Sequence, residues 1–332
     1  MRVRKIKKLG LFEKPTRIEF LENLSPHLGG PNIYMKRDDL IGEALGGNKV
    51  RKLEYLLADA LSKNADVIIT TGGPQSNHCR ITAGICAKIG LKCVLVIGGA
   101  GKYEYEGNLL LDRIFGAEVI FSGTRDFDAI PAIMEKTAEE FRKKGQRPYI
   151  IPLGGANGIG ALGYLEAYLE IQKQMKAAKI QFSSITIANG SGGTQAGLET
   201  GKLISGGDAD IIGISVLFKK AKIAGIVFKD IYETLGVLGI SGKKPGGINV
   251  FDEYIGKGYA IPTPLTLEAI KLMGRKEGIV LDPVYTGKAF GGLMDLIGKK
   301  KFSKKDNVLF IHTGGYPGMV NMRAEHVSAI VK

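Results

Sequence analysis

Short apolar runs rich in β-branched residues alternate along this chain with longer segments of helical periodicity. The runs predict strands at 66–70, 92–98, 117–121, 148–152, 183–188, 209–215 and 307–313. Apolar residues at i, i+3, i+4 and i+7 predict helices at 49–63, 76–90, 128–145 and 159–177. Because the runs are apolar on both faces, they suit parallel sheets covered by helices. The sequence therefore predicts an α/β, doubly wound fold.

Length, charge and cysteine spacing exclude several other classes of protein. The 332 residues suit about two domains, and no run reaches the ~20 apolar residues of a membrane-spanning helix. The net charge of +13 comes from scattered lysines without interleaved aromatic residues, so it is a weak basis for a nucleic-acid binder. The three cysteines Cys79, Cys86 and Cys93 match neither a metal knuckle nor a disulfide framework. We therefore expect a cytoplasmic protein with no metal site and no nucleic-acid or membrane partner.

Many of the 47 glycines lie in loops that follow predicted strands. These loops are "TTGGPQSNH" (70–78), "PLGGANGIGALG" (152–163), "ANGSGGTQAG" (188–197) and "HTGGYPGM" (312–319). In open α/β sheets, ligands bind beyond the carboxyl ends of the strands, where bare backbone can approach them. The glycine-rich loops are therefore predicted to line one shared site.

The loop at 188–197 connects an apolar strand to a predicted helix and has the composition of an anion site. Backbone amides at the helix start, with the hydroxyls of Ser191 and Thr194, suit a phosphate group. The loop is not the dinucleotide fingerprint, because Gln195 stands where a motif starting at Gly190 needs its third glycine. A nicotinamide dehydrogenase is therefore disfavoured. By itself, the loop fits a tight turn capped by Ser191 equally well.

Lys49 follows Gly46, Gly47 and Asn48 at the start of a predicted helix. A phosphate site without a nucleotide motif suggests pyridoxal phosphate, which requires a lysine for its Schiff base. The glycines allow close approach of a ring, and the helix start lowers the pKa of a nearby amine. Alone, these residues also suit an ordinary turn at a helix start.

Five segments, in order between about residues 10 and 325, resemble one enzyme family. They are "YMKRDDLIGEALGGNKVRKLEYLLADAL", "TTGGPQSNHCRITA", "ANGSGGTQAGL", "LDPVYTGKAFGGL" and "LFIHTGGYPG". They resemble the D-cysteine desulfhydrase and 1-aminocyclopropane-1-carboxylate deaminase family, pyridoxal-phosphate enzymes of fold type II. The resemblance implies a homodimer, with two open, twisted, mainly parallel α/β domains and the active site between them. It also implies a large cofactor domain of residues 1–51 and 166–332, interrupted by a smaller domain at 52–165.

The resemblance assigns roles to individual residues. Lys49 matches the Schiff-base lysine, which in the family also moves the α-proton. The matches to phosphate contacts are Lys52, Gly190, Ser191, Gly192, Gly193 and Thr194. Asn77 is similar to the residue that bonds the phenolic oxygen of the cofactor, and the residues expected at the substrate are Ser76, Asn77 and His78. Tyr259 and Tyr285 resemble the two active-site tyrosines. Without the resemblance, Ser76 also fits an N-cap, and the tyrosines fit packing positions.

Two threonines bear on the choice of reaction. Thr286 stands where the deaminase branch has a glutamate that keeps the pyridine nitrogen protonated, and Thr313 stands where that branch has an apolar residue. This pair resembles the desulfhydrase branch, because a neutral hydroxyl supports a weaker electron sink that suffices for loss of a thiolate. The predicted reaction converts D-cysteine to pyruvate, hydrogen sulfide and ammonia. The deaminase reaction stays open, as does a lyase for another β-substituted amino acid, since residues 216–250 match no named motif.

Overall fold

Two sheets with helices packed against them form the computed structural model, which describes residues 6–101, 103–320 and 322–331. The strands are β1 (Ile18–Phe20), β2 (Asn32–Arg37), β3 (Val67–Gly72), β4 (Lys92–Ile97), β5 (Glu118–Phe121), β6 (Pro148–Ile150), β7 (Ser184–Asn189), β8 (Asp210–Ser215), β9 (Asn249–Phe251) and β10 (Asn307–His312). The helices are α1 (Leu24–Leu28), α2 (Lys49–Ser62), α3 (Asn77–Ile89), α4 (Gly107–Ile114), α5 (Ile130–Lys143), α6 (Gly158–Ala178), α7 (Gly193–Ser205), α8 (Lys220–Val237), α9 (Pro264–Glu277), α10 (Thr286–Gly298) and α11 (Ala324–Val331). The predicted strands and helices are confirmed, with every end within two residues of its predicted position.

The strand order separates a six-stranded sheet from a four-stranded one. The larger sheet runs β1-β2-β10-β7-β8-β9 and is parallel except at β1, whereas the smaller runs β5-β4-β3-β6 and is parallel throughout. The smaller sheet uses only strands from the middle of the chain, and strands of the larger sheet lie on both sides of it in sequence. The predicted domain limits, 51/52 and 165/166, fall inside α2 and α6. Those limits stay a prediction.

Strand β10 shows why the apolar runs lack an alternating polar face. Val308 and Phe310 pack with Phe290 of α10, while Leu309 and Ile311 pack with Tyr164 of α6 on the opposite face. Burial of each such side chain contributes about 1.5–3 kcal/mol. The larger sheet is therefore buried from both sides, as its parallel strands require.

Three strands lack this signal and are not predicted from the sequence. Strands β1 and β9 are only three residues long. Strand β2 ends with Lys36 and Arg37, which are buried because carboxylates pair with them: Lys36 Nζ lies 2.7 Å from Glu170 Oε1, and Arg37 Nη2 lies 2.8 Å from Asp39 Oδ2. Among the described helices, none is long and apolar enough to cross a bilayer.

Candidate active site

The glycine-rich loops meet at one cavity between the two sheets. The predicted site residues that line it are Lys49, Ser76, Asn77, His78, Gly190, Ser191, Gly192, Thr194, Tyr259, Tyr285 and Thr313. Lys52, Gly193 and Thr286 are buried near these residues but do not line the cavity. The four glycine-rich loops therefore meet at this cavity, and most of the predicted residues lie on its surface.

Lys49 is the first residue of α2, and its amine contacts the amine of Lys52 one helical turn later. Burial lowers the pKa of Lys49 to about 8. Burial and then the neighbouring Lys49 hold the pKa of Lys52 well below its ordinary value, and Lys52 Nζ donates to the Gly154 carbonyl at 3.0 Å. Two buried amines this close repel when both are charged, so an anion beside them would be stabilised.

The start of α7 forms a narrow cradle beside these lysines. Gly192 caps the helix with a φ of 89°, a left-handed conformation that favours glycine. A Cβ atom on Gly193 would lie 2.9 Å from Lys52 Nζ, so the bare backbone is needed for the close approach of the lysine. Asn48 Nδ2 donates to Thr194 Oγ1 at 3.0 Å and ties the Lys49 turn to the loop. Amides at a helix start and two lysines form a donor set that fits a phosphate group.

Ser76 and His78 belong to the start of α3 and have different surroundings. Ser76 is the N-cap of α3, since its Oγ accepts from the Cys79 amide at 3.2 Å, and it also lines the cavity with its hydroxyl hydrogen left to donate. His78 Nε2 lies 2.8 Å from Thr70 Oγ1, which itself donates to the Ile151 carbonyl. His78 therefore donates from Nε2, and burial holds its pKa well below the ordinary value. It is a neutral side chain at the site.

Tyr259 and Tyr285 both line the cavity, and their hydroxyl oxygens lie 2.5 Å apart. Burial raises the pKa of Tyr259 to about 12 and that of Tyr285 well above its ordinary value. Both phenols are therefore protonated near neutral pH. Phe127, whose ring centroid lies 6.5 Å from that of Tyr259, also lines the cavity together with Leu217. Sequence patterns did not single out these two apolar residues, because each lies in a loop without a motif.

The two threonines differ in position. Thr286 donates to Asp282 Oδ1 at 2.7 Å and accepts from the Asp282 amide at 2.8 Å, so its hydroxyl is turned away from the cavity. Thr313 lines the cavity, and no described residue hydrogen-bonds to its hydroxyl. Of these two threonines, Thr313 alone presents its hydroxyl to the cavity. The cofactor contacts expected of both residues stay predictions.

Asp282 is a positioning residue that the sequence patterns did not predict. Its Oδ2 accepts from the amides of Val284 and Tyr285 at 2.8 and 2.9 Å. The signal for it was the "DPVY" sequence, in which an aspartate side chain can bond amides two and three residues later. These bonds hold Tyr285 in place beside the cavity.

The cavity surface is polar but carries no acidic group. No aspartate or glutamate lines it in the part of the chain that the structure describes. Within the same ranges, no three His, Cys, Asp or Glu side chains lie close enough together to hold a metal ion. Amine, hydroxyl and amide groups therefore supply the polar chemistry of this cavity.

Comparison with known proteins places the chain in a family. A family model described as pyridoxal-phosphate dependent enzyme matches residues 9–314. The chain belongs to the pyridoxal-phosphate dependent enzymes. This pyridoxal-phosphate enzyme is 41% identical over 318 residues to D-cysteine desulfhydrase of Salmonella choleraesuis (strain SC-B67), with 94% of this chain and 95% of that protein covered. It is 44% identical over 317 residues to a putative 1-aminocyclopropane-1-carboxylate deaminase of Pyrococcus furiosus, with coverage of 95% and 93%.

Solved structures agree with this assignment. The enzyme superposes on the crystal structure of an ACC deaminase homologue with a TM-score of 0.90 at 41% identity, covering 99% of this chain and 98% of that one. Threonine deaminase isoform 2 from Solanum lycopersicum gives a TM-score of 0.65 at 18% identity, with coverage of 95% and 82%, and shows the fold alone. The predicted fold type II architecture, the cofactor and the class of lyase or deaminase are confirmed.

Proposed function

We propose that this enzyme is a D-cysteine desulfhydrase, which converts D-cysteine and water to pyruvate, hydrogen sulfide and ammonia by β-elimination followed by hydrolysis. The observation that carries the proposal is the polar surface described above: Thr313 offers a neutral hydroxyl, and no described carboxylate lines the cavity. Without a carboxylate, the surroundings give little support to a protonated ring nitrogen. A moderate electron sink suffices when the leaving group is a thiolate.

The cofactor fits the residues present. Lys49 would hold it covalently, while Lys52 and the amides at the start of α7 would hold its phosphate. Thr313 is the candidate partner of its ring nitrogen, and Asn77 of its phenolic oxygen. When bound, pyridoxal phosphate supplies the electron sink that β-elimination from an amino acid requires.

The protein groups supply proton transfer and orientation. Lys49, with its pKa lowered to about 8 by burial, exists partly as the free amine near neutral pH and can take up the α-proton of the amino acid. The Ser76 hydroxyl and the hydrogen-bonded pair of tyrosine hydroxyls, which together have one hydrogen left to donate, can bind the substrate carboxylate and protonate the departing sulfur. Phe127 and Leu217 restrict the cavity to a small side chain.

A second candidate is 1-aminocyclopropane-1-carboxylate deaminase. The 44% identity to the Pyrococcus furiosus protein of that description favours it. The opening of a cyclopropane ring releases no thiolate, so this reaction depends more strongly on the cofactor as an electron sink. The cavity without a described carboxylate therefore ranks this reaction second.

Parallel steady-state assays of the purified holoenzyme test the proposal. D-cysteine, L-cysteine, D-serine and the cyclopropane amino acid are supplied separately, and pyruvate, sulfide and 2-oxobutanoate are measured. We expect equimolar pyruvate and sulfide, with the highest kcat/KM for D-cysteine. A higher kcat/KM for 2-oxobutanoate formation from the cyclopropane substrate would overturn the proposal.

A small amino acid is the substrate class that these activities share. The homodimer and the cytoplasmic location stay predictions, which sedimentation and cell fractionation would test.

A further inference from the structure

A single buried arginine connects the start of α3, where Asn77 lies, to the turn that precedes Lys49. Arg80 lies on α3 and is fully buried. Its Nη1 donates to Asn77 Oδ1 at 3.1 Å and to Asn108 Oδ1 at 2.9 Å, while its Nη2 donates to the Gly46 carbonyl at 2.9 Å. Gly46 belongs to the turn that leads into Lys49. One guanidinium therefore ties the start of α3 to the turn before α2, behind the cavity.

These bonds determine which end of the Asn77 amide faces the cavity. A guanidinium has donors and no acceptor, so only the oxygen of Asn77 can face Arg80. Asn108 Nδ2 donates to the same oxygen at 3.0 Å, and Asn108 is itself held because its Nδ2 also donates to the Gln75 carbonyl at 2.9 Å. Asn77 lines the cavity, and its Nδ2 has no acceptor within the described ranges. The amide nitrogen is therefore the free donor of this side chain.

The positive charge of Arg80 has no direct counter-ion among the described residues. Its three acceptors are neutral, and no described carboxylate lies within ion-pair distance. The carboxylates that act on it, Asp112 and Asp282, do so at longer range. A buried cation behind Asn77 polarises the amide and favours an anion on its other side.

We propose that Arg80 is a positioning residue that presents the Asn77 amide nitrogen, with a buried positive charge behind it, to an anionic oxygen in the cavity. Two oxygens have this chemistry: the phenolic oxygen of the cofactor and the carboxylate of the amino acid. A contact with the phenolic oxygen requires only that the chain belongs to the pyridoxal-phosphate enzymes. A contact with the carboxylate of the amino acid rests on the proposed function.

Arg80→Lys in the holoenzyme tests the inference, because the compact ammonium of lysine cannot reach three acceptors as the guanidinium fork does. Two quantities are measured: the pH midpoint of the visible band of the bound cofactor, and the Kd for D-alanine and L-alanine from the change in that band. If the phenolic oxygen is the partner, the midpoint moves to higher pH without any amino acid. If the carboxylate is the partner, the Kd for the alanine isomer that binds rises about tenfold, which is about 1.4 kcal/mol.

A double-mutant cycle separates positioning from general loss of structure. If Arg80 acts through Asn77, Arg80→Lys has no further effect in an Asn77→Ala background. Additive effects would overturn the inference, as would an unchanged midpoint and Kd in folded Arg80→Lys. The pH midpoint and the Kd are measured without turnover. They therefore test Arg80 even if the steady-state assays show that D-cysteine is not the substrate.

A second variant covers the case in which Arg80→Lys does not fold. Asn108→Asp places a carboxylate beside Arg80, where it would neutralise the guanidinium and repel the Asn77 oxygen. We expect the same change in midpoint or Kd, and wild-type values would overturn the inference. Arg113→Lys is the matched control, because Arg113 is exposed on α4, where its guanidinium donates to the Ala117 carbonyl and lies over the Tyr105 ring.

Discussion

The hydroxyl oxygens of Tyr259 and Tyr285 lie 2.5 Å apart, so one phenol donates a hydrogen bond to the other. The accepting phenol keeps its own proton to donate elsewhere. Burial raises the pKa of both groups, and Tyr259 has a pKa of about 12. The pair therefore acts as one proton donor to the cavity near neutral pH, rather than as two independent bases.

Loss of either hydroxyl should remove most of the function of the pair. We expect Tyr259→Phe and Tyr285→Phe each to lower kcat by about 10²-fold or more, the range typical of a positioned acid. The double variant should be little worse than the more affected single variant, because the two hydroxyls act together. Steady-state kinetics measures both. Tyr254→Phe is the control, since its hydroxyl donates to Asp295 Oδ2 at 2.6 Å outside the cavity lining, and it should keep kcat.

Lys49→Ala should abolish the visible absorbance of the bound cofactor and nearly all turnover. In the wild-type protein stripped of cofactor, the reactive form of Lys49 is the free amine, and burial lowers its pKa to about 8. Covalent binding of added pyridoxal phosphate should therefore become faster as the pH rises toward 8. Absorbance against time at several pH values measures this rate. A rate that falls with pH over the same range would contradict the assigned pKa.

Lys288→Met is the matched control for the loss of Lys49. Burial also lowers the pKa of Lys288 to about 8, but its amine donates to the carbonyls of Ile255 and Gly258 and does not line the cavity. This variant should be less stable and should keep the visible band.

The fold was predictable where burial on two faces left a continuous apolar run. Strands β3 and β10 were found in this way, whereas β2 was missed because its end is formed by Lys36 and Arg37. Those charges are compatible with a buried strand because carboxylates, among them Glu170 and Asp39, pair with them, and Glu170 is far away in sequence. A local pattern does not contain such partners.

The site was predictable where motifs place reactive groups at strand ends, and less so where neighbours decide orientation. Lys49 and Tyr285 do line the cavity. Thr286 was expected to line the cavity as well. Its hydroxyl instead donates to Asp282, four residues earlier in the chain, and does not reach the cavity surface. Phe127 and Leu217 come from loops without a motif, and only the packing of the chain brings them to the site.

Lys52→Met should weaken cofactor binding without removing Lys49. A charge-assisted hydrogen bond to phosphate contributes about 1.5–3 kcal/mol, so the Kd for pyridoxal phosphate should rise about ten- to hundredfold. Titration of cofactor-free protein, followed by absorbance, measures the Kd. Lys63→Met is the control, because Lys63 caps the other end of α2 and is exposed. An unchanged Kd in Lys52→Met would remove Lys52 from the phosphate site.

Asp112 should make the stability of the protein fall as the pH rises. Burial raises its pKa to about 8, and its two carboxyl oxygens have no hydrogen-bond partner among the described residues. Between about pH 4, its ordinary pKa, and pH 8, the folded protein holds a proton that the unfolded chain releases. The free energy of unfolding therefore decreases with pH across this window, by at most about 1.4 kcal/mol per pH unit.

Asp112→Asn removes the titration, so its Tm relative to wild type should rise steadily from pH 5 to pH 8 in thermal melts. Asp208→Asn, at an exposed position, should follow the wild-type curve. Parallel curves for Asp112→Asn and wild type would show that Asp112 does not titrate in this range.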